Sequence, residues 1–292
     1  MVVAATGFFD GVHIGHQAVI RTLLERSRED DGQSLVLSFW PHPRVLLQNG
    51  ARELRLLTSV DEKRDLLYSY GVERVEILPF TKEFASMDAR TYLKMLKADY
   101  NVSAITLGYD NRFGRGNLST SQVADIALQM GLRVDTVVPV DIDGLPVSST
   151  RIRRALAEDG EVELASRMLG RDYEVCGTVV GGKRLGRTIG YPTANLALRE
   201  PLKCVPATGV YLSRVKLGEE LYYGMSNVDV SGLIETHIFD FDRDIYGMEI
   251  VVSFISRIRG ELKFFSFEKL KNQLKTDEMS AKNLIFARYD HK

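Results

Sequence analysis

Val2-Val3-Ala4-Ala5-Thr6-Gly7-Phe8-Phe9-Asp10-Gly11-Val12-His13-Ile14-Gly15-His16 stands at the start of the chain, and Val19, Ile20, Leu23 and Leu24 recur behind it at helical spacing. Val2–Thr6 predicts a short apolar strand, the later spacing an amphipathic helix, and the glycine-bearing segment between them a tight turn. A strand that turns directly into a helix aims the helix N-terminus at a sheet edge. Gly11 and Gly15 let backbone approach a ligand with no Cβ in the way. Free N–H groups at the helix start attract phosphate. His13 and His16 are then expected to face a triphosphate and to stabilise charge growing on the α-phosphate and on departing pyrophosphate. Neither cysteine lies near the pair in sequence, which argues against zinc.

Working outward, strand and helix patterns keep alternating. Ser34–Phe39, Val72–Leu78, Val102–Leu107 and Leu132–Val138 read as strands. Ser59-Val60-Asp61-Glu62 has the form of a capping box, and Tyr92, Leu93 and Leu96 share a helical face within Asp88–Asp99. Short joints between such elements predict a parallel sheet flanked by helices. The pattern changes near Gly170. Glu174–Val180, Gly209–Leu217, Leu221–Ser226, Thr236–Phe241 and Met248–Ile255 read as strands with no amphipathic helix between them, which favours an antiparallel barrel. Two closing helices are expected, Phe267–Lys275 and Asp277–Ala287. The expected boundary is therefore at residue 170, with domains 1–170 and 171–292.

Composition narrows the function classes. A net charge of −1 gives no bulk electrostatic case for a nucleic-acid or anionic-membrane partner. Cys176 and Cys204 form no disulfide framework or metal quartet. No apolar run is long enough to span a bilayer, and the start lacks the pattern of a signal peptide, so a cytoplasmic protein is expected. Oligomeric state is open.

Two further stretches carry chemistry. Ser148-Ser149-Thr150-Arg151-Ile152-Arg153 supplies hydroxyls, a helix start and two guanidinium forks for phosphate. The His-x-Gly-His pattern is shared by class I aminoacyl-tRNA synthetases and small nucleotidylyltransferases. This Ser/Thr-Arg stretch, with no Lys-Met-Ser-Lys-Ser loop, favours the second. In the other half, Gly181, Lys183, Gly186, Arg187 and Gly190 form a glycine-rich basic stretch able to cradle phosphate, although it is no Walker A loop. Thr193 and Asn195 follow in Pro192-Thr193-Ala194-Asn195 and offer hard oxygen ligands suited to Mg²⁺. Glu235, at a strand start, has the chemistry to accept a proton from an attacking hydroxyl, although a lone glutamate is more often a surface charge. Asp240, Asp242 and Asp244 look like the opening of a calcium loop, but Ile245 and Val251 break that pattern. They read as a solvated strand face and turn.

Together these stretches resemble the prokaryotic bifunctional riboflavin kinase/FAD synthetase family across essentially the whole chain. Gly7–His16, Pro41-His42-Pro43, Leu107-Gly108-Tyr109-Asp110 with Arg112-Phe113-Gly114, and Ser148–Arg153 match its FAD-synthetase motifs. Gly186–Asn195, Gly209-Val210-Tyr211, Glu235-Thr236-His237 and Asp244-Ile245-Tyr246-Gly247 match its kinase module. The resemblance implies a nucleotidyltransferase-type (Rossmann-like) α/β domain followed by a small Greek-key barrel with C-terminal helices. It implies phosphorylation of riboflavin by ATP to FMN, then adenylylation of FMN to FAD and pyrophosphate. It implies that Gly7, Phe8, Phe9, Asp10, Gly11, His13, Gly15, His16, Ser149, Thr150 and Arg153 surround one ATP, with Asp110 and Arg112 near the flavin or its phosphate. In the kinase half it implies that Thr193 and Asn195 hold the Mg²⁺-nucleotide and that Glu235 is the base. Two alternatives are a riboflavin kinase with an impaired adenylylating domain and a non-catalytic flavin-binding protein.

Overall fold

The computed structural model describes residues 1–42, 54–109, 118–182 and 185–289. It forms two compact units, Met1–Ser149 and Thr150–Lys292.

The first unit holds β1 (Val2–Thr6), α1 (Ile14–Glu29), β2 (Gln33–Trp40), α2 (Val60–Ser69), β3 (Arg74–Pro79), α3 (Lys82–Ser86), α4 (Ala89–Tyr100), β4 (Val102–Gly108), α5 (Thr120–Gln129) and β5 (Arg133–Val137). A two-stranded hairpin, β6 (Asp141–Ile142) and β7 (Leu145–Pro146), follows. The five long strands lie in the order β3-β2-β1-β4-β5, all parallel. Both sheet faces are covered, as parallel sheets require. Val2, Ala4, Leu35 and Leu37 pack with Tyr92, Leu93, Leu96 and Val123. Val3, Ala5 and Val36 pack on the other face with Val19, Ile20, Leu23 and Leu67. Successive β1 residues thus serve opposite cores, so the strand reads as continuously apolar. The expected capping box is present: Ser59 Oγ accepts from Glu62 N, and Glu62 Oε2 accepts from Ser59 N. The chain leaves β1 toward β2 on one side while β4 lies on the other. The carboxyl end of β1 is therefore the switch point where open α/β sheets bind ligands.

The second unit begins with α6 (Ser149–Arg154, whose first residue belongs to the first unit), a π turn (Ala155–Asp159) and α7 (Val162–Leu169). Then come β8 (Tyr173–Val180), α8 (Leu185–Thr188), β9 (Ala194–Leu198), β10 (Gly209–Leu217), β11 (Glu220–Val228), β12 (Ile234–Ile238), β13 (Glu249–Arg259) and α9 (Phe267–Tyr289). Strands β8–β13 close into an antiparallel barrel, in the order β10-β11-β12-β9-β8-β13. Closure leaves no free sheet edge. Helix α7 packs on β13 and β8 and so belongs to the second compact unit. Glu163 on α7 accepts from Arg257 N, and Ala207 N donates to Leu156 O.

The two expected closing helices are one. Thr276-Asp277 looks like a helix start, but the Thr276 hydroxyl bonds back to Asn272 O at 3.1 Å and the helix runs on. Asp277 is instead the buried partner of Arg259 on β13, which ties α9 to the barrel through contacts of 2.8–3.0 Å. β12 also ends earlier than expected, because Asp240 turns the chain at φ 52°. β9 follows the Pro-Thr segment that sequence reading valued only for its ligands.

Candidate functional sites

At the carboxyl end of β1 a cleft of about 590 Å³ is lined by Gly7, Phe8, Phe9, His13, Gly15 and His16, with Gly108, Tyr109 and Val137–Val140 opposite. The turn that builds it is strained: Phe9 (φ 52°) and Val12 (φ 40°) are left-handed without being glycine. Its carbonyls and carboxylate are held from several directions. Phe8 O accepts from Ser38 Oγ (3.1 Å) and from Lys63 Nζ (3.0 Å). The Asp10 carboxylate accepts from Leu57 N and Thr58 N, Asp10 O accepts from Ser149 Oγ at 2.9 Å, and Val12 O accepts from Gln17 Nε2 at 2.9 Å. Asp10 and Gly11 are thus buried beneath the cleft, where they fix its floor. Lys63 and Thr58 were not singled out by sequence. A buried lysine followed by Leu66 and Leu67 looks like ordinary helix patterning.

The two histidines stack, with ring centroids 3.6 Å apart, and Phe9 meets His16 edge-on at 5.1 Å. A Cβ on Gly15 would lie 3.2 Å from the His13 ring, so glycine gives that ring its room. His13 caps α1: its Nδ1 accepts from His16 N at 3.3 Å, which leaves Nε2 to carry the proton in the neutral ring. Burial, aided by His13 and Lys63, pushes His16 well below the ordinary histidine value. Its Nδ1 has no hydrogen-bond partner among the described residues. Burial therefore disfavours a positive charge on the His16 ring. Ser149 begins α6; Thr150 and Arg153 follow on that helix, with Arg153 Nη2 3.5 Å from Thr150 Oγ1. Asp110 and Arg112 lie outside the described residues.

In the barrel two clefts share one residue, Thr193. One, about 980 Å³, is lined by Arg187, Pro192, Thr193, Thr236 and the segment Phe241–Tyr246. The other, about 1330 Å³, is lined by Tyr191, Thr193, Met225, Glu235, His237, Leu262, Phe264, Phe267 and Leu270 among others. Asp242 and Asp244, expected on a solvated face, line the first of these. Glu235 and Asn195 are direct partners across β12 and β9, so their side chains share a face. Gly182 lies against Asn195, where a Cβ would come within 2.3 Å of Nδ2. Gly186 returns the chain tightly: its carbonyl accepts from Tyr191 N at 2.8 Å, and a Cβ there would meet Tyr191 O at 2.1 Å. Gly181 and Gly190 are exposed. Lys183 lies outside the described residues. Among the described residues no group of three or more His, Cys, Asp or Glu is arranged to hold a metal.

A nucleotide-type α/β sheet and a two-cleft barrel in one chain define a protein with two separate phosphate-handling domains. Family models agree: FAD synthetase matches residues 1–151 and riboflavin kinase matches residues 169–285. The bifunctional riboflavin kinase/FMN adenylyltransferase of Listeria monocytogenes is 34% identical, covering 96% of this chain and 91% of its own length. That of Escherichia coli K12 is 35% identical, with 97% and 92% covered. A crystal structure described as a macrolide-efflux protein from Streptococcus pneumoniae is 34% identical with a TM-score of 0.88, covering 97% of this chain and 94% of that one. This chain belongs to the bifunctional riboflavin kinase/FMN adenylyltransferase family. No described helix is long and apolar enough to cross a membrane.

Proposed function

We propose that the barrel phosphorylates riboflavin with ATP to give FMN, and that the α/β unit then transfers AMP from a second ATP to FMN, releasing pyrophosphate. The observation that carries this reading is the pair of barrel clefts meeting at Thr193. The cleft that Glu235 lines, rich in aromatic and aliphatic side chains, suits the flat flavin ring. The other, with Arg187 at its edge, suits the nucleotide. Glu235 lies on the flavin side, where its carboxylate accepts the proton of the attacking ribityl hydroxyl. Phosphoryl transfer needs little covalent help and depends on placing donor and acceptor in line, which the shared residue does.

Thr193 and Asn195 fit a Mg²⁺-nucleotide. They offer a hydroxyl and an amide oxygen, Gly182 packs against the Asn195 amide where any Cβ would clash, and phosphate oxygens would complete the shell. When bound, the ion offsets charge on the phosphates. In the α/β unit the α1 N-terminus binds phosphate, while His13 and His16 donate hydrogen bonds to it. No protein nucleophile is required there. Incubation with riboflavin, ATP and Mg²⁺, followed by chromatography, should show FMN first and FAD second. FMN that accumulates without FAD, even in excess ATP, would favour the kinase-only alternative.

A further inference from the structure

His237 stands two residues beyond Glu235 on β12, so strand alternation puts both on the face that lines the flavin-side cleft. Its Nδ1 lies 2.8 Å from Pro192 O. A carbonyl oxygen only accepts, so Nδ1 carries the proton. Pro192 O belongs to the peptide that enters Thr193, the residue both clefts share. One position earlier, the Tyr191 hydroxyl donates to Glu278 on α9 at 3.1 Å, and the Tyr191 and His237 rings meet edge-on at 5.0 Å. The His237 backbone is itself confined, because its carbonyl packs against Gly224, where a Cβ would lie 2.4 Å away.

We propose that His237 is a positioning residue of the kinase reaction: its Nδ1–H fixes the Pro192–Thr193 peptide and so sets Thr193 between nucleotide and acceptor. This rests on reading the two clefts as the kinase site. The ring accepts no proton from substrate; that task stays with Glu235. What His237 supplies is a donor at one point in space, and the chemistry of amides separates this from mere bulk. An asparagine amide nitrogen falls where the imidazole Nδ1 sits, whereas a glutamine nitrogen falls where Nε2 sits.

The experiment compares His237→Asn, His237→Gln and His237→Ala in the full chain, with riboflavin phosphorylation, riboflavin affinity by fluorescence titration and FMN adenylylation measured for each. His237→Asn should keep turnover within about threefold of the parent, while His237→Gln and His237→Ala lose about 10²-fold, the scale of a small misplacement at a reacting centre. Riboflavin affinity should be the same within about twofold in the Asn and Gln variants, placing the difference between them in turnover. Equal turnover in the Asn and Gln variants, whether high or low, overturns the proposal. A parent protein that phosphorylates no riboflavin overturns the kinase reading instead, which keeps the two failures apart.

Discussion

The two units assemble their chemistry in opposite ways. The α/β unit places Gly7 to His16 in one unbroken segment, because a strand-turn-helix delivers backbone N–H groups and side chains together at a sheet edge. The barrel gathers Arg187, Thr193, Asn195, Glu235 and the Phe241–Tyr246 segment from parts of the chain far apart in sequence, and only the pairing of β9 with β12 brings Asn195 beside Glu235. A contiguous site depends on local strain held from below. A gathered site depends on the whole barrel being closed. Damage far from the chemistry should therefore hurt the barrel more.

The largest effect tests that dependence. Residues 171–292 lack α7, whose Val162, Met168 and Leu169 are fully buried. Burial of such side chains contributes about 1.5–3 kcal/mol each, against a total domain stability of about 5–15 kcal/mol. A fragment of residues 150–292 should fold and phosphorylate riboflavin, while 171–292 should be unfolded or aggregated. Circular dichroism and kinase assays on both decide it, and equal stability would place the boundary at 170. Next in size is Glu235→Gln. Riboflavin phosphorylation should fall about 10²–10⁴-fold, the usual worth of a general base, with FMN adenylylation unchanged. A parent-like kinase rate would remove Glu235 from the chemistry.

The mirror experiment in the other unit is His16→Ala. Losing a donor to developing charge costs about 2.7–4 kcal/mol, so adenylylation should drop about 10²–10³-fold while phosphorylation stays intact. Because His16 is held neutral, its protonation should contribute no inflection near the ordinary histidine value in the parent's pH–rate profile. An inflection there that vanishes in the variant would show that His16 titrates normally.

Legibility in sequence follows the same division. β1, α1 and their turn could be read from a single stretch, since apolar runs, helical spacing and glycines are local signals. The Gly209–Leu217 strand coincides with its sequence limits. The extents of β12 and α9 differ from the sequence pattern because tertiary contacts decide them: Asp277 reads as a helix start, but it pairs with Arg259 on β13. Lys63 carried no signal at all. Its role exists only because α2 lies under the Phe8 carbonyl.

That lysine gives the smallest predicted effect and the sharpest test of strain held from below. Lys63 is 2% exposed, and its ammonium sits 4.2 Å above the Phe8 ring while donating to Phe8 O. Burial pushes it down to about 8, with Asp10 pulling the other way. The unfolded chain keeps the ordinary value near 10.5, so between pH 8 and pH 10.5 the unfolded state binds more protons at this site. Stability from this group must therefore rise with pH across that window, by up to about 3 kcal/mol, and stay flat below it. Lys63→Met removes both the buried charge and its bond to the loop. At pH 7 these changes oppose each other, so stability should shift by about 1 kcal/mol or less while adenylylation slows several-fold as the Phe8 loop loosens. Trp40, the only tryptophan, ends β2, so denaturant unfolding followed by its fluorescence reports on the α/β unit. The parent should gain stability from pH 8 to pH 10 relative to Lys63→Met. Parallel profiles for the two proteins would mean that Lys63 remains solvated, and that the strained turn is held by Asp10, Ser38 and Ser149 without it.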